Sequence, residues 1–397
     1  MAEARPRVLL ITRNLPPLVG GMERLNWHMA DELSKYAGVR VVGPVGSASM
    51  APASVAVNEV PLKPLWKFLL CATWRAFRVA RAWRPDVVLA GSGLTAPAAW
   101  LAARACGART VAYVHGLDLA VRHPLYRSLW YPALRRMDRL IGNSAPTAAL
   151  ARTIGVAAAR IGIVHPGVDL PTATSQPDDV SDAAVQAFRE EHGFGNRRLL
   201  LSVGRLSSRK GLREFVTRAL PRIVATCPDV MLVVVGDAPK DALHAQAQTP
   251  ESIRAASAQA GVADHVVFLG AITDYAVLGV VYRSADVHVF PVRELAGDPE
   301  GFGMVAVEAA AHGLPTVAFA TGGIIDAVAE GQSGHLVPVG DYEAFADRVV
   351  ATLTEGHAPR AGCIAFARRF TWPQFGAQID GQLAKIVPAW PVREESV

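Results

Sequence analysis

The strongest chemical signal in this chain is Asp298-Pro299-Glu300-Gly301-Phe302-Gly303-Met304-Val305-Ala306-Val307-Glu308, which places Glu300 in a glycine-containing loop and Glu308 on the Ala-rich helix after it. Carboxylates accept hydrogen bonds from paired hydroxyls, so one suits a sugar and the other a ribose diol. The N–H groups of Phe302, Gly303 and Met304, at a helix start, suit a phosphate. A single ligand with sugar, phosphate and ribose would use all three. A second cluster is cationic: Gly204-Arg205-Leu206 ends one apolar run and Arg209-Lys210-Gly211 opens the next helix. Fixed cations beside a helix N-terminus stabilise the charge that builds on a diphosphate as it leaves. In the first half, Pro16-Pro17-Leu18-Val19-Gly20-Gly21 joins a strand to a helix. Its glycine pair, Gly20 and Gly21, lets a phosphate or sugar approach bare backbone or simply makes a tight turn. His115 follows the apolar run Thr110 to Val114, at the end of a strand where ligands bind.

These groups need scaffolding, and the hydrophobic pattern supplies it. Short Val/Ile/Leu-rich runs alternate with longer amphipathic or Ala-rich stretches, the mark of βαβ units around a buried parallel sheet. Strands are expected at Val8–Thr12, Val39–Gly43, Asp86–Ala90, Thr110–Val114, Arg139–Gly142 and Ile161–Val164, with helices after Gly21, Pro64, Thr95 and Ser144. A second series runs through Leu199–Val203, Met231–Val235, His265–Leu269, Val287–Phe290 and Thr316–Phe319. Between the series, Pro171-Thr-Ala-Thr-Ser-Gln-Pro177 reads as a linker. The expected fold class is α/β, two Rossmann-like doubly wound domains facing a central cleft. The domains span residues 1–175 and 176–372, and a last helix within 373–397 crosses back to the first. Open parallel sheets bind ligands at the carboxyl ends of their strands, where every motif above falls.

Half of the 397 residues are apolar and 19% are charged, which fits folded domains with sizeable cores and excludes a disordered chain. The short polar start before Val8 lacks the apolar region of a signal peptide, and Val87–Cys106 is broken by Gly91, Gly93 and Pro97, so it is not read as a membrane span. Cys71, Cys106, Cys227 and Cys363 are scattered, which argues against a disulfide framework or a zinc site and for reduced thiols in a cytoplasm. The net charge of +5 hides an asymmetry: residues 1–170 hold 21 Lys and Arg against 9 Asp and Glu, the remainder 19 against 26. A basic half attracts anionic lipid, phosphorylated substrates or nucleic acid, but no nucleic-acid motif accompanies it, so no nucleic-acid partner is expected.

Together, Gly20-Gly21, His115-Gly116-Leu117-Asp118, Asn143-Ser144, Pro166-Gly167-Val168-Asp169, Gly204-Arg205 with Lys210, the Glu300 to Glu308 motif, and Gly322-Gly323 with Gly334-His335-Leu336-Val337 resemble the large retaining glycosyltransferase family four, with the GT-B fold. The resemblance covers nearly the whole chain. It implies that Arg205 and Lys210 hold a donor pyrophosphate, Glu300 contacts the donor sugar, Glu308 binds the ribose and His115 lies beside the reacting sugar. It also implies retention of anomeric configuration by a front-face route, in which the departing phosphate helps deprotonate the acceptor and no protein nucleophile takes part. No Asp-x-Asp metal motif is present, so no cofactor or metal is expected beyond the nucleoside-diphosphate sugar. Two departures, His165 before Pro166 and Ser207-Ser208 in the basic turn, argue against copying donor specificity from a relative. The expected activity is hexosyl transfer, with mannose first, to a glycan or lipid-linked acceptor in cell-envelope polysaccharide or glycolipid synthesis.

Between Pro64 and Pro85 a helix would align Trp66, Leu70, Trp74 and Phe77 on one stripe beside Lys67, Arg75, Arg78 and Arg81. Such a helix, across residues 65–84, either lies on an anionic membrane surface or packs its stripe on the sheet. The first would place a cytoplasmic protein at the inner face of the membrane. Two rival functions stand beside transfer. Gly91-Ser92-Gly93-Leu94-Thr95-Ala96 fits the Gly-x-Gly-x-x-Ala dinucleotide pattern of an oxidoreductase, but on an interior strand, and that reading leaves Arg205, Lys210, Glu300 and Glu308 unexplained. A phosphorylase, an epimerase or a non-catalytic binder would keep the fold and change the chemistry.

Overall fold

The computed structural model describes residues 5–171, 182–238, 248–354, 360–388 and 390. They form two compact units, one of residues 1–167 with 372–397, the other of residues 168–371. The turn-rich segment from 172 to 177 and its boundary at 175, like the end of the chain after 390, lie outside the described residues.

In the first unit the strands are β1 (Arg7–Ile11), β2 (Gly38–Pro44), β3 (Ala56–Val60), β4 (Val87–Ala90), β5 (Arg109–Val114), β6 (Arg139–Gly142) and β7 (Ile161–Ile163). They pair in parallel in the order β3-β2-β1-β4-β5-β6-β7. The helices are α1 (Gly21–Ser34), α2 (Leu65–Trp83), α3 (Ala96–Arg104), α4 (Leu117–Ala120), α5 (Pro124–Arg136) and α6 (Ala145–Thr153). The central strands are buried on both faces, as continuous apolar runs such as Val87 to Ala90 require. β3 was not expected because Asn58 and Glu59 interrupt its apolar run. The Glu59 carboxylate accepts from the N–H groups of Gly46 and Ala48, both at 2.9 Å, so its charge serves the loop after β2.

Helix α2 turns Phe68, Ala72, Ala76, Val79 and Ala80 inward, where its alanines meet the alanine-rich side of α3. Trp66, Leu70, Trp74 and Phe77 face outward at 63%, 64%, 54% and 40% exposure. The alternative in which this stripe packs on the sheet is thereby overturned. The small alanine face does the packing, and the larger side chains are left in solvent.

The second unit holds β8 (Arg198–Val203), β9 (Val230–Val235), β10 (Val266–Gly270), β11 (Val287–Phe290), β12 (Thr316–Phe319) and β13 (Gly334–Val337), parallel in the order β10-β9-β8-β11-β12-β13. Its helices are α7 (Asp182–Glu191), α8 (Leu212–Arg218), α9 (Leu220–Thr226), α10 (Pro250–Gln259), α11 (Tyr275–Ser284), α12 (Met304–Ala311), α13 (Ile324–Ala327), α14 (Tyr342–Thr354) and α15 (Arg360–Ala367). The strand order reverses between β8 and β11, which opens a crevice at their carboxyl ends. Edge strand β13, half-exposed at His335 and Leu336, carries the Gly334-His335-Leu336-Val337 motif and was not among the expected strands.

The last described helix, α16 (Trp372–Ala384), belongs to the first unit. Trp372 stacks on His28 of α1 at 3.9 Å, and Arg139 of β6 donates to Gln382 at 2.8 Å. A side chain at Gly167 would run into Trp372, so that glycine lets the indole sit against the backbone.

Candidate active site

The second unit gathers its cations and carboxylates at the β8/β11 crevice. After β8 the chain turns through Gly204 and a short 3₁₀ turn, Ser208–Lys210, before α8. That turn is tied to the exit of β11 by the Arg293 N–H donating to the Arg209 carbonyl at 2.8 Å. From it Lys210 donates to Glu300 at 2.9 Å, and its ammonium lies 4.5 Å from the centre of the Phe290 ring on β11. Arg209 donates to the same Glu300 oxygen through Nη1, and its Nε lies 3.3 Å from Asp298. Arg205 stands exposed beside them.

Burial works to raise the Glu300 carboxyl, but the charges of Arg209 and Lys210, the Lys210 hydrogen bond and Arg205 outweigh it and hold the pKa at about 2. Glu300 is therefore ionised at any ordinary pH. Lys210 is drawn below the usual lysine value by burial, partly offset by Glu300. Beneath them His288 of β11 is buried, its Nδ1 3.1 Å from the Thr316 hydroxyl, and burial with the Lys210 charge lowers its pKa to about 3. It is a neutral neighbour, not a third acid or base.

The Glu300 loop is held by close backbone approach. The Gly323 N–H donates to the Glu300 carbonyl at 2.9 Å, and a Cβ at Gly322 or Gly323 would collide with the Glu300 or Gly301 backbone. Gly303 then takes φ 95° to start α12, a left-handed conformation that glycine adopts without strain. The first N–H groups of α12, among them Met304, have no acceptor within the helix. Phe302 is buried under the loop. Four residues into α12, Glu308 accepts from the Tyr282 hydroxyl at 3.1 Å, which orients its carboxylate.

The structure thus brings Gly204, Arg205, Lys210, Glu300, Phe302, Gly303, Met304 and Glu308 together around one crevice. Two members had no role in the sequence reading. Arg209 was seen only as part of a basic turn, and Asp298 only as the first residue of the glutamate motif. Their signal was spacing, because a loop carrying an acid at either side of Pro299 can engage one guanidinium at two points.

In the first unit, Gly20 caps α1 and Gly21 begins it, after the loop that leaves β1. His115 follows β5; its Nε2 lies 3.1 Å from the Gly91 carbonyl, and its N–H donates to Asp118 at 3.0 Å. A carbonyl only accepts, so Nε2 carries a hydrogen toward Gly91. The dinucleotide-like glycines are explained by packing. A Cβ at Gly91 would strike Asn26 of α1 and one at Gly93 would strike Asp118 of α4, so side chains of neighbouring helices already occupy the cradle.

Two family models match this chain, one over each half. Residues 19–171 match the family described as Glycosyltransferase Family 4, and residues 197–355 match Glycosyl transferases group 1. A GDP-mannose-dependent alpha-(1-6)-phosphatidylinositol monomannoside mannosyltransferase of Mycobacterium tuberculosis is 30% identical over 369 residues, covering 88% of this chain and 89% of that one. A D-inositol 3-phosphate glycosyltransferase of Segniliparus rotundus is 33% identical over 318 residues, covering 76% and 66%. Among solved structures, Anabaena Alr3699/HepE in complex with UDP superposes with a TM-score of 0.77 at 19% identity, covering 96% of this chain and 100% of that one.

Proposed function

The chain belongs to the group 1, family four glycosyltransferases, and from that premise we propose that it moves a hexose, mannose first, from a nucleoside diphosphate to a glycan or lipid-linked acceptor. One observation carries the reading. Arg205, Arg209 and Lys210 converge with Glu300 at the switch point of a parallel sheet, beside the N-terminus of α12. Two cations held on Glu300, with the charge of Arg205 near enough to act on it, suit a pyrophosphate leaving group, and a charge already fixed in place needs no reorganisation during reaction. Glu308 holds the ribose diol, the α12 N–H groups meet phosphate, and Glu300 takes the hydroxyls of the sugar. His115 offers Nδ1 to the reacting sugar. With no protein nucleophile assigned, the departing phosphate takes the acceptor proton and configuration is retained. The cations serve in place of a metal, so turnover persists in a chelator. Mannose is favoured because relatives that align over most of the chain are named as GDP-mannose-dependent.

The acceptor side supports work at a membrane surface. No helix among the described residues is long and apolar enough to cross a membrane. Helix α2 instead presents Trp66, Leu70, Trp74 and Phe77 outward, with Arg78 4.9 Å from the Trp74 ring and Arg81 5.8 Å from the Phe77 ring. Aromatics ringed by guanidinium groups suit the headgroup zone of an anionic leaflet, here the inner face of the cytoplasmic membrane. Trp66→Ala with Trp74→Ala should reduce cosedimentation with anionic vesicles; unchanged binding removes the membrane role.

The test of transfer is acceptor-dependent release of nucleoside diphosphate from GDP-mannose and UDP-glucose, with and without chelator, and NMR of the product anomer. Release that requires acceptor and retains configuration supports the proposal. Donor turnover without acceptor, to an epimerised sugar, refutes it.

A further inference from the structure

Within the first unit, a cavity of 210 Å3 opens between α5 and the end of α6, and three arginines line it: Arg122, Arg127 and Arg135. It is open to solvent and has room for several water molecules, or for a phosphate and part of the alcohol it esterifies. The arginines are placed rather than merely crowded. Arg127 lies over the Tyr131 ring at 6.0 Å, and Arg135 donates through Nε to the Ile154 carbonyl, which leaves its terminal nitrogens unspent. The Tyr131 hydroxyl ties the floor to the Leu119 and Val121 carbonyls at 2.8 and 3.0 Å. Among the described residues no carboxylate pairs with any of the three guanidinium groups, and the nearby Asp118 is engaged by the His115 N–H. Three like charges facing one cavity repel each other, and a dianion or diester phosphate relieves that repulsion while accepting several charge-assisted hydrogen bonds.

The surroundings say what the phosphate would be attached to. Helices α2, α3 and α5 together hold eight Lys and Arg and no Asp or Glu. Beside the cavity α5 exposes Leu125 and Leu129. The cavity also borders α4, which directly follows the His115 loop. We propose that this cavity is a binding site for the phosphate ester of the acceptor, holding it by Arg122, Arg127 and Arg135 while the rest of the acceptor extends toward the His115 end of the unit. The assignment rests on the transfer reading above and adds to it the chemical class of the acceptor.

The experiment titrates the full-length protein with inositol 1-phosphate and with inorganic phosphate by calorimetry. It then measures cosedimentation with phosphatidylcholine vesicles that contain or lack phosphatidylinositol. Wild type is compared with Arg122→Ala/Arg127→Ala, whose exposed side chains make no hydrogen bond that the fold needs, and with Arg197→Ala/Arg254→Ala, exposed arginines of the second unit, as an equal loss of charge. Saturable binding of inositol 1-phosphate that weakens about tenfold or more only in the first variant supports the site with a soluble phosphorylated acceptor. Selective loss of the phosphatidylinositol dependence in that variant supports it with a lipid headgroup. Equal loss in both variants means diffuse attraction and overturns the proposal, as does wild type binding neither probe. Nucleoside diphosphate binding is measured on the same samples. Its absence in wild type would count against the transfer reading, whereas its presence with no phosphate site would count against this inference alone.

Discussion

Replacing Arg209 by alanine removes a charge-assisted hydrogen bond to Glu300 and the 3.3 Å approach to Asp298. The side chains of Arg209 and Glu300 are only 15% and 11% exposed, so water does not take over the contact. A hydrogen bond to a charged group contributes about 1.5–3 kcal/mol. The larger cost of about 3–5 kcal/mol for a buried charge left alone is not incurred, because Lys210 still reaches Glu300 at 2.9 Å. Read as transition-state stabilisation, that range corresponds to a fall of about 10- to 150-fold in kcat/KM for the donor. Arg209→Lys keeps the charge but cannot span both acids with a planar fork, so its loss should be smaller than that of alanine. Steady-state kinetics with donor varied, with melting temperature as a check on folding, gives the answer. Donor kcat/KM within twofold of wild type for folded Arg209→Ala would show that the clamp on the Glu300 loop does not serve the reaction.

Further outcomes follow from the same geometry. Arg205→Ala and Lys210→Ala should each lower turnover by about 10²–10³, the usual effect of losing one preorganised charge partner, and near-normal rates from both would refute their roles. Tyr282→Phe deletes the 3.1 Å hydrogen bond to the Glu308 carboxylate, worth about 1.5 kcal/mol at the low end for a charged acceptor, so nucleoside diphosphate affinity should drop about tenfold by calorimetry; no change would mean that Glu308 needs no such support. His288 titrates near 3 when folded and near the ordinary 6.5 when unfolded. Below 6.5 the unfolded chain takes up a proton that the folded one refuses, so stability falls as pH drops toward 3, by about 2 kcal/mol from this residue at pH 5. Denaturant melts of wild type and His288→Gln at pH 7 and 5 test this, and an equal acid loss in both would assign it elsewhere.

Much of this was legible in the sequence because buried parallel strands are short continuous apolar runs, and their loops carry glycines and charges in order. The strands around both switch points fall where those runs do. The strands that were missed, β3 and β13, lie at sheet edges, where half-exposure admits Asn58, Glu59 and His335 and dilutes the pattern. In the site, Glu300, Glu308 and Lys210 stood out because each sits beside a glycine turn or helix start. Arg209 did not, since only the folded chain shows that two acids on one loop reach it. The outward aromatic stripe of α2 was visible as periodicity, but its direction was not. A helix with one alanine face and one aromatic face packs by whichever fits the neighbouring helix, and α3 is itself built of alanines.

The central claim is that the crevice between β8 and β11 holds a nucleoside-diphosphate sugar, and thermal shift tests it most directly. Wild type and Glu308→Ala are melted with GDP, UDP, ADP and NAD(P). A ligand bound only by the folded state raises stability with the logarithm of its concentration over its dissociation constant, by about 2.7 kcal/mol at a hundredfold excess. Stabilisation of wild type by one nucleoside diphosphate, lost in Glu308→Ala, is the predicted result. Stabilisation by NAD(P) alone, or by a nucleoside diphosphate equally in both proteins, would contradict the account.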